Sequence, residues 1–255
     1  MDTLTQLWHT FFDWPSMRES LPEMLTVGLP NTLILALLSA ILGTVIGLLL
    51  AVAGISRTRW LRWPARVYTD IFRGLPVVVT ILLIGVGLAP LALGLWGTNP
   101  YPLGILALGL VAGAYIGEIF RSGIQSVDHG QLEATRALGF SYPTAMRLVV
   151  IPQGIRRVLP ALVNQFIALV KDSSLVYFLG LLASQRELFR IGQDYAANTG
   201  NESALLLAGL FYLVLTVPLT HLVNLIDRRL RSGRPERIED PAPPQAGALS
   251  EVAAR

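Results

Sequence analysis

The chain has 255 residues, of which 53% are hydrophobic and 15% are charged, and it contains no cysteine. These proportions exclude an ordinary water-soluble domain, a disulfide framework and a thiolate metal site. A mean hydropathy of +0.55 and several long apolar runs predict a membrane protein with several spans. The sequence pI of about 9.5 does not indicate a nucleic-acid partner, because the basic residues fall in alternate loops, as they do in membrane proteins.

The N-terminal segment, residues 1–23, is aromatic and mixed in charge. Trp8, Phe11 and Phe12 lie at i, i+3 and i+4, which predicts a short helix at the membrane interface. An aromatic anchor at the membrane surface is the simpler interpretation, and a partner-binding role is the alternative.

The first span is predicted at about Met24–Ala53, which is long enough to cross the hydrocarbon even when tilted. Gly43 and Gly47 form a small-xxx-small pair that would let another helix approach closely. The sequence leaves open whether that helix belongs to this chain or to a second copy.

Four arginines predict that the next loop, Ser56–Arg66, is cytoplasmic. The second span, about Val67–Leu93, holds enough glycine and proline to predict a kinked or broken helix beside protein or a cavity. Its Arg73–Pro76 stretch is either a packing kink or part of a gate. In the third span, about Pro102–Ile124, the i, i+3 spacing of Glu118 and Arg121 predicts a salt bridge, with substrate contact as the alternative.

A polar stretch follows, and it predicts two short helices joined at a glycine. Asp128 is the expected N-cap of the first helix, with Gln131 in place for a capping box. Gly139 is expected to end that helix and Ser141 to cap the second. Pro152 is expected to close the unit. Residues 128–152 are therefore predicted to form a well-defined cytoplasmic loop, and such loops commonly carry function.

The fourth span, about Leu159–Leu182, carries a run of polar residues: Asn164, Gln165, Lys171, Asp172, Ser173 and Ser174. An ionisable residue inside the membrane costs at least about 2.5–3.5 kcal/mol when it faces lipid, so Lys171 and Asp172 should face protein or water. Neighbouring residues on a helix do not point at each other, so each charge needs a separate partner or a ligand with complementary charges. A free amino acid offers such a pair of charges, and an internal ion-pair network is the alternative.

The segment 183–202 is polar and charge-balanced, which predicts an external helix at the membrane surface. The fifth span is predicted at about Ser203–Ile226, and the arginines after Asp227 predict a cytoplasmic C-terminus. The tail, residues 233–255, is rich in Pro and Ala and is predicted to be disordered. The expected architecture is an all-α bundle of about five spans within residues 24–232, with the N-terminus outside.

The loop at residues 128–152 resembles the EAA loop of ATP-binding-cassette (ABC) importer permeases of the type I fold. Four residues match that pattern in place: Glu133, Ala134, Gly139 and Pro152. Three positions depart from it by small or isosteric changes: Thr135, Val149 and Ile151. Further stretches resemble the polar amino-acid branch of these permeases: Arg73–Pro76, Glu118–Arg121, Gly123–Val127, Asn164–Phe166 and Lys171–Leu175.

This resemblance implies a permease subunit of an ATP-driven importer that moves polar or charged amino acids into the cytoplasm across a bacterial inner membrane. The implied partners are cytoplasmic ATPase subunits, a second permease subunit and an extracytoplasmic solute-binding protein, all in membrane lipid. The ATPase would bind ATP and Mg, and this chain would bind no cofactor. The four matching loop residues would couple to the ATPase. The implied substrate-path residues are Asn164, Lys171, Asp172, Ser173 and Ser174.

The sequence shows no catalytic or metal-binding constellation of its own. Its single lysine, Lys171, lies in a span without the glycines of a phosphate-binding loop, which excludes ATP hydrolysis by that route. An ion- or proton-coupled secondary transporter that uses Lys171, Asp172 or Glu118 as a relay is the alternative function. Such transporters usually contain internal repeats, and none is visible here. A non-transporting scaffold is a third possibility, which would leave the membrane charges unexplained.

Overall fold

The computed structural model describes residues 3–231, and helices make up nearly all of this range. The α-helices, in chain order, are α1 (Thr3–Phe11), α2 (Trp14–Glu23), α3 (Leu29–Ile55), α4 (Arg59–Gly74), α5 (Val77–Gly87), α6 (Ala89–Trp96), α7 (Tyr101–Gln125), α8 (His129–Ala137), α9 (Tyr142–Ala145), α10 (Ile151–Asp172), α11 (Leu188–Thr199) and α12 (Ser203–Arg231). The tail predicted to be disordered, residues 233–255, lies outside the described residues.

The predicted all-α membrane bundle is confirmed. Four helical stretches are long and apolar enough to cross a membrane: Thr5–Ile55, Tyr101–Gln125, Tyr142–Leu179 and Ser203–Arg229. The bent pair α4 and α5 makes a fifth crossing if the two helices form one broken span.

The tightest helix contact is the one between α3 and α7, and glycines make it possible. A Cβ added to Gly43 would lie 2.6 Å from the Cβ of Ala112, and one added to Gly47 would lie 2.8 Å from the backbone nitrogen of Gly117. Gly113 is equally close to Ile46. The Gly43/Gly47 face is therefore used within this chain, against α7, which answers the question that the sequence left open.

The two ends of the bundle are held together differently. At the end where α3 and α7 begin, the Tyr101 hydroxyl donates to the Asn31 carbonyl at 3.1 Å, and the Asn31 amide donates to the Ser184 carbonyl at 2.9 Å. At the opposite end α10 lies directly against α7, because a Cβ on Gly154 would be 3.0 Å from the Gly123 carbonyl oxygen. The loop formed by α8 and α9 lies at this second end.

The second span differs from its predicted bounds. Helix α4 begins at Arg59 rather than near Val67, so most of the expected cytoplasmic loop is helical. The reason is the spacing of its charges, which recur every three or four residues and so share one face of a helix. The predicted break is confirmed: α4 ends before Leu75 and Pro76, and α5 continues at an angle of 107°.

Pro152 does not close the polar loop, so that prediction is wrong. Helix α9 continues through a π-helical turn, Met146–Val150, into α10, and Pro152 lies in the first turn of α10. A proline is tolerated there because its ring removes an N–H just where the π-turn has already interrupted the i→i−4 ladder. The α-helical part of the fourth span ends at Asp172, and a 3-10 helix, Ser173–Leu179, completes it.

Candidate coupling loop and substrate site

The structure confirms the helix–glycine–helix arrangement of the polar loop. The Asp128 carboxylate caps α8 by accepting from the Gly130 backbone N–H at 2.7 Å. Gly139 has φ +89°, a left-handed conformation that favours glycine and ends α8. Ser141 caps α9 by accepting from the Thr144 N–H. The capping box is only half present, because the Gln131 side chain accepts from Gln153 instead of reaching back to Asp128.

The tip of this loop exposes apolar side chains beside a free carboxylate. Leu138 is 78% exposed, and Phe140 is also exposed. Glu133 is exposed and forms no hydrogen bond or ion pair within residues 3–231. Clustered exposed apolar residues with a polar rim are typical of a protein interface. The loop therefore offers a docking surface that nothing in the described chain covers.

A mechanical connection joins this loop to the middle of the bundle. Helix α9, the π-turn and α10 form one helical stretch, Tyr142–Leu179, that also contains Lys171. At a rise of 1.5 Å per residue, Tyr142 and Lys171 are roughly 45 Å apart along the helix. Helix α9 is therefore continuous with the helix that carries Lys171, whereas α8 joins this stretch through the turn at Gly139.

The predicted substrate residues fall into two groups. Asn164 and Lys171 are exposed and Asp172 is half-buried. Apart from their attraction for each other, the side chains of Lys171 and Asp172 form no hydrogen bond or ion pair with any described residue. Ser173 is fully buried and donates to the Val170 carbonyl at 2.7 Å. Ser174 donates to the Lys171 carbonyl at 2.7 Å. The structure thus brings two unpaired charges together and places one of the two serines out of a ligand's reach.

The predicted salt bridge near the C-terminal end of α7 is confirmed. Arg121 Nε donates to one Glu118 carboxylate oxygen at 2.8 Å and Nη2 to the other at 2.7 Å. Arg73, across the cleft on α4, lies 3.8 Å from the same carboxylate. Its guanidinium also stacks over the Tyr115 ring. These charges are therefore largely satisfied by one another.

A buried carboxyl group, Glu187, was not predicted from the sequence. It is fully buried at the start of α11, where it accepts from the backbone N–H groups of Phe189 (2.5 Å) and Arg190 (2.7 Å) and from the Tyr212 hydroxyl (3.0 Å). Burial raises the pKa of Glu187 to about 7 despite these hydrogen bonds. The sequence signal that could have indicated its role is its position just before α11, where a carboxylate can cap the free N–H groups of the first turn. Glu187 joins α11 to α12.

Comparison with known proteins identifies the family. Residues 43–232 match the family described as the binding-protein-dependent transport system inner membrane component. This chain belongs to that family. It is 37% identical to the arginine transport system permease protein ArtQ of Bacillus subtilis, over 80% of this chain and 91% of ArtQ. It is 35% identical to the glutamate/aspartate import permease protein GltK of Escherichia coli O6:H1, over 86% of this chain and 98% of GltK.

Solved structures agree with this assignment. A crystal structure of an amino acid ABC transporter with histidines superposes with a TM-score of 0.75 at 33% identity, covering 85% of this chain and 98% of that one. The methionine ABC transporter MetNI, at 24% identity and a TM-score of 0.65, shares the fold. The chain is therefore a multi-pass inner-membrane permease of an ABC importer, and its family is the permease component rather than the ATPase.

Proposed function

We propose that this permease carries amino acids into the cytoplasm, with the α8–α9 loop on the cytoplasmic side. The names of its relatives refer to arginine, glutamate/aspartate and glutamine. The two unpaired charges at the end of α10 suit this substrate class. Lys171 is positioned to receive an α-carboxylate and Asp172 an α-ammonium, with Asn164 one further polar group along the same helix.

The observation that carries the proposal is the continuity between the loop and these charges. An ATPase that grips the Glu133, Ala134 and Gly139 region would move α9, and the same helical stretch would move Lys171 and Asp172. Pro152 lies in the first turn of α10, within this helical stretch, and would act through the geometry of the helix rather than by contact with the ATPase. No energy source is required within the chain, because nucleotide-driven closure elsewhere biases a two-state bundle.

The remaining parts of the machine are other proteins. Two ATPase subunits would hold ATP and Mg and hydrolyse the nucleotide, each docked on one loop. A second permease, identical or similar, would complete the translocation path. A solute-binding protein would deliver the amino acid at the opposite end of the bundle, where α11 and the loop before it lie at the surface.

The test is reconstitution in vesicles with the ATPase and the binding protein. We expect uptake of labelled arginine, glutamine or glutamate that requires ATP and stops when the ATPase is omitted. Competition among the three amino acids identifies the preferred side chain. Uptake that persists without the ATPase and follows a proton or sodium gradient would instead establish the secondary transporter and overturn the proposal.

A further inference from the structure

A polar cavity lies away from the α10 charges, between the C-terminal halves of α3, α4 and α7. Its volume is about 360 Å³, within the range of small-molecule sites. Glycines on α3 and α7, Gly54 and Gly117, leave space in its wall. The polar side chains that line it are Arg66, Thr69, Asp70, Arg73, Glu118 and Arg121.

The charges of α4 form a continuous face that ends at this cavity. Arg59, Arg62, Arg66, Asp70 and Arg73 follow one another at spacings of three or four residues, and so lie along one side of the helix. Trp63 lies beside this face and Trp60 about 100° from Arg59, and the two are 69% and 88% exposed. A charged face on a membrane-embedded helix is costly unless it borders water or protein, and such faces commonly mark a substrate pathway.

Among the charged side chains of the cavity, Arg66 acts on Glu118 only electrostatically, and Asp70 has no partner within the described residues. Glu118 accepts hydrogen bonds from Nε and Nη2 of Arg121 and is approached by Arg73. Arg66 and Asp70 lie one helical turn apart, and neither forms a hydrogen bond or an ion pair in the part of the chain that the structure describes. Two opposite charges about 6 Å apart along a helix therefore face one small cavity.

We propose that this cavity is a second amino-acid subsite, on the cytoplasmic side of the α10 charges. Arg66 binds the α-carboxylate of the substrate and Asp70 binds its α-ammonium, while the Arg73–Glu118–Arg121 network forms a fixed wall. An α-amino acid fits because it carries an ammonium group and a carboxylate on the same carbon atom. The inference rests on the proposed function, since it assumes amino-acid transport and a cytoplasmic α8–α9 loop.

The absence of cysteine from the chain allows a direct test. Thr69 lines the cavity and is buried, so Thr69→Cys places a single thiol beside Arg66 and Asp70. The variant permease, assembled with its ATPase in inside-out vesicles without nucleotide, is labelled with a small methanethiosulfonate reagent. We expect arginine, glutamine or glutamate to slow labelling, by roughly tenfold at about ten times Kd.

Matched variants separate the two charges from general effects. Adding Arg66→Gln or Asp70→Asn to Thr69→Cys should abolish the protection. Adding Arg62→Gln, which removes the same charge one turn away on α4, should leave it intact. Ser122→Cys, an exposed position on α7 that does not line the cavity, should be labelled without protection.

The outcomes that overturn the subsite are equally clear. If no amino acid slows the labelling, Arg66 and Asp70 do not bind substrate and only form a hydrated face of α4. Protection by acetate or inorganic phosphate equal to that by the amino acids means an anion site that ignores Asp70. The labelling result is independent of the α10 charges, so adding Asp172→Asn should not change it. If the reconstituted transporter shows no ATP-dependent uptake but amino acids still slow the labelling of Thr69→Cys, the proposed function is contradicted and the binding subsite remains supported.

Discussion

Lys171 and Asp172 differ from Glu118, Arg186 and Arg190 in what surrounds them. Glu118 is paired with Arg121 and Arg73, and Arg186 and Arg190 both pair with Asp194. The two α10 residues have no such partner among residues 3–231. A charge that the fold leaves unpaired inside a span is the one available to a ligand.

Asp172→Asn keeps the size of the side chain and removes its charge. A hydrogen bond to a charged group contributes about 1.5–3 kcal/mol, so transport should fall roughly 10- to 100-fold. Initial rates of ATP-dependent uptake in reconstituted vesicles measure this loss. Ser174→Ala serves as the control, because the hydroxyl proton already goes to a backbone carbonyl, and its effect should be small. Unchanged uptake in Asp172→Asn would leave this carboxylate a purely structural role.

Glu187 makes the stability of the bundle depend on pH. Its pKa is raised from 4.5 to about 7 in the folded protein, so between these values the folded state keeps a proton that the unfolded state releases. The free energy of unfolding should therefore fall as the pH rises from about 4.5 to about 7, by up to about 3 kcal/mol, and then level off. Thermal unfolding of the purified protein at pH 5, 6, 7 and 8 measures the slope.

Glu187→Gln should flatten this dependence, because the amide does not titrate. The variant should also unfold at a lower temperature at pH 5, since an amide nitrogen cannot accept from the N–H groups that begin α11. A variant with the same pH slope as the parent protein would assign the titration to another group.

At the scale of elements, the contact between α3 and α7 depends on the absence of side chains. A methyl group on Gly47 would lie 2.8 Å from a backbone nitrogen of α7, an atom that cannot rotate away. Gly47→Ala should therefore destabilise the protein by about 1–3 kcal/mol. Gly209→Ala on α12, where nothing lies within 4 Å, should be neutral or slightly stabilising. Thermal unfolding of the two variants makes the comparison, and equal midpoints would refute this packing.

The coupling loop is an element with a free face. Glu133→Lys reverses the charge of an exposed carboxylate that has no partner in residues 3–231. Reversing an interface charge costs about 2–5 kcal/mol when the partner is left unpaired, so substrate-stimulated ATP hydrolysis should fall more than tenfold. Glu133→Asp, which keeps the charge at the same position, should retain most of the stimulation. Normal stimulation in Glu133→Lys would refute the docking role.

At the scale of the whole molecule, the sequence predicts the membrane spans and the residues that begin and end the short helices of the loop. The bounds of α7 and the left-handed Gly139 follow from local patterns, and the structure has both. The start of α4 is not predicted, because an arginine-rich stretch is typical of a cytoplasmic loop. Only the spacing of its charges, every three or four residues, indicates a helix. Pro152 was misplaced for a similar reason: a π-turn before it lets the helix continue. Glu187 was missed because burial of a carboxyl group depends on three helices that meet only in the fold.

The assembled account also places function at both ends of one long helix. The loop at one end of Tyr142–Leu179 is exposed and unpartnered, and the charges near the other end are unpaired. Neither feature alone indicates an importer. Under the proposed function, the helical stretch that connects them would let nucleotide chemistry on the ATPase move the substrate site.

The most direct test of this account concerns the side and the partner of the loop. Leu138, 78% exposed at its tip, is replaced by cysteine in the otherwise cysteine-free chain and labelled with a membrane-impermeant maleimide. We predict labelling in inside-out but not in right-side-out vesicles, and a marked slowing when the ATPase subunits are bound. Labelling from the outer side, or a rate that the ATPase does not change, would contradict the account.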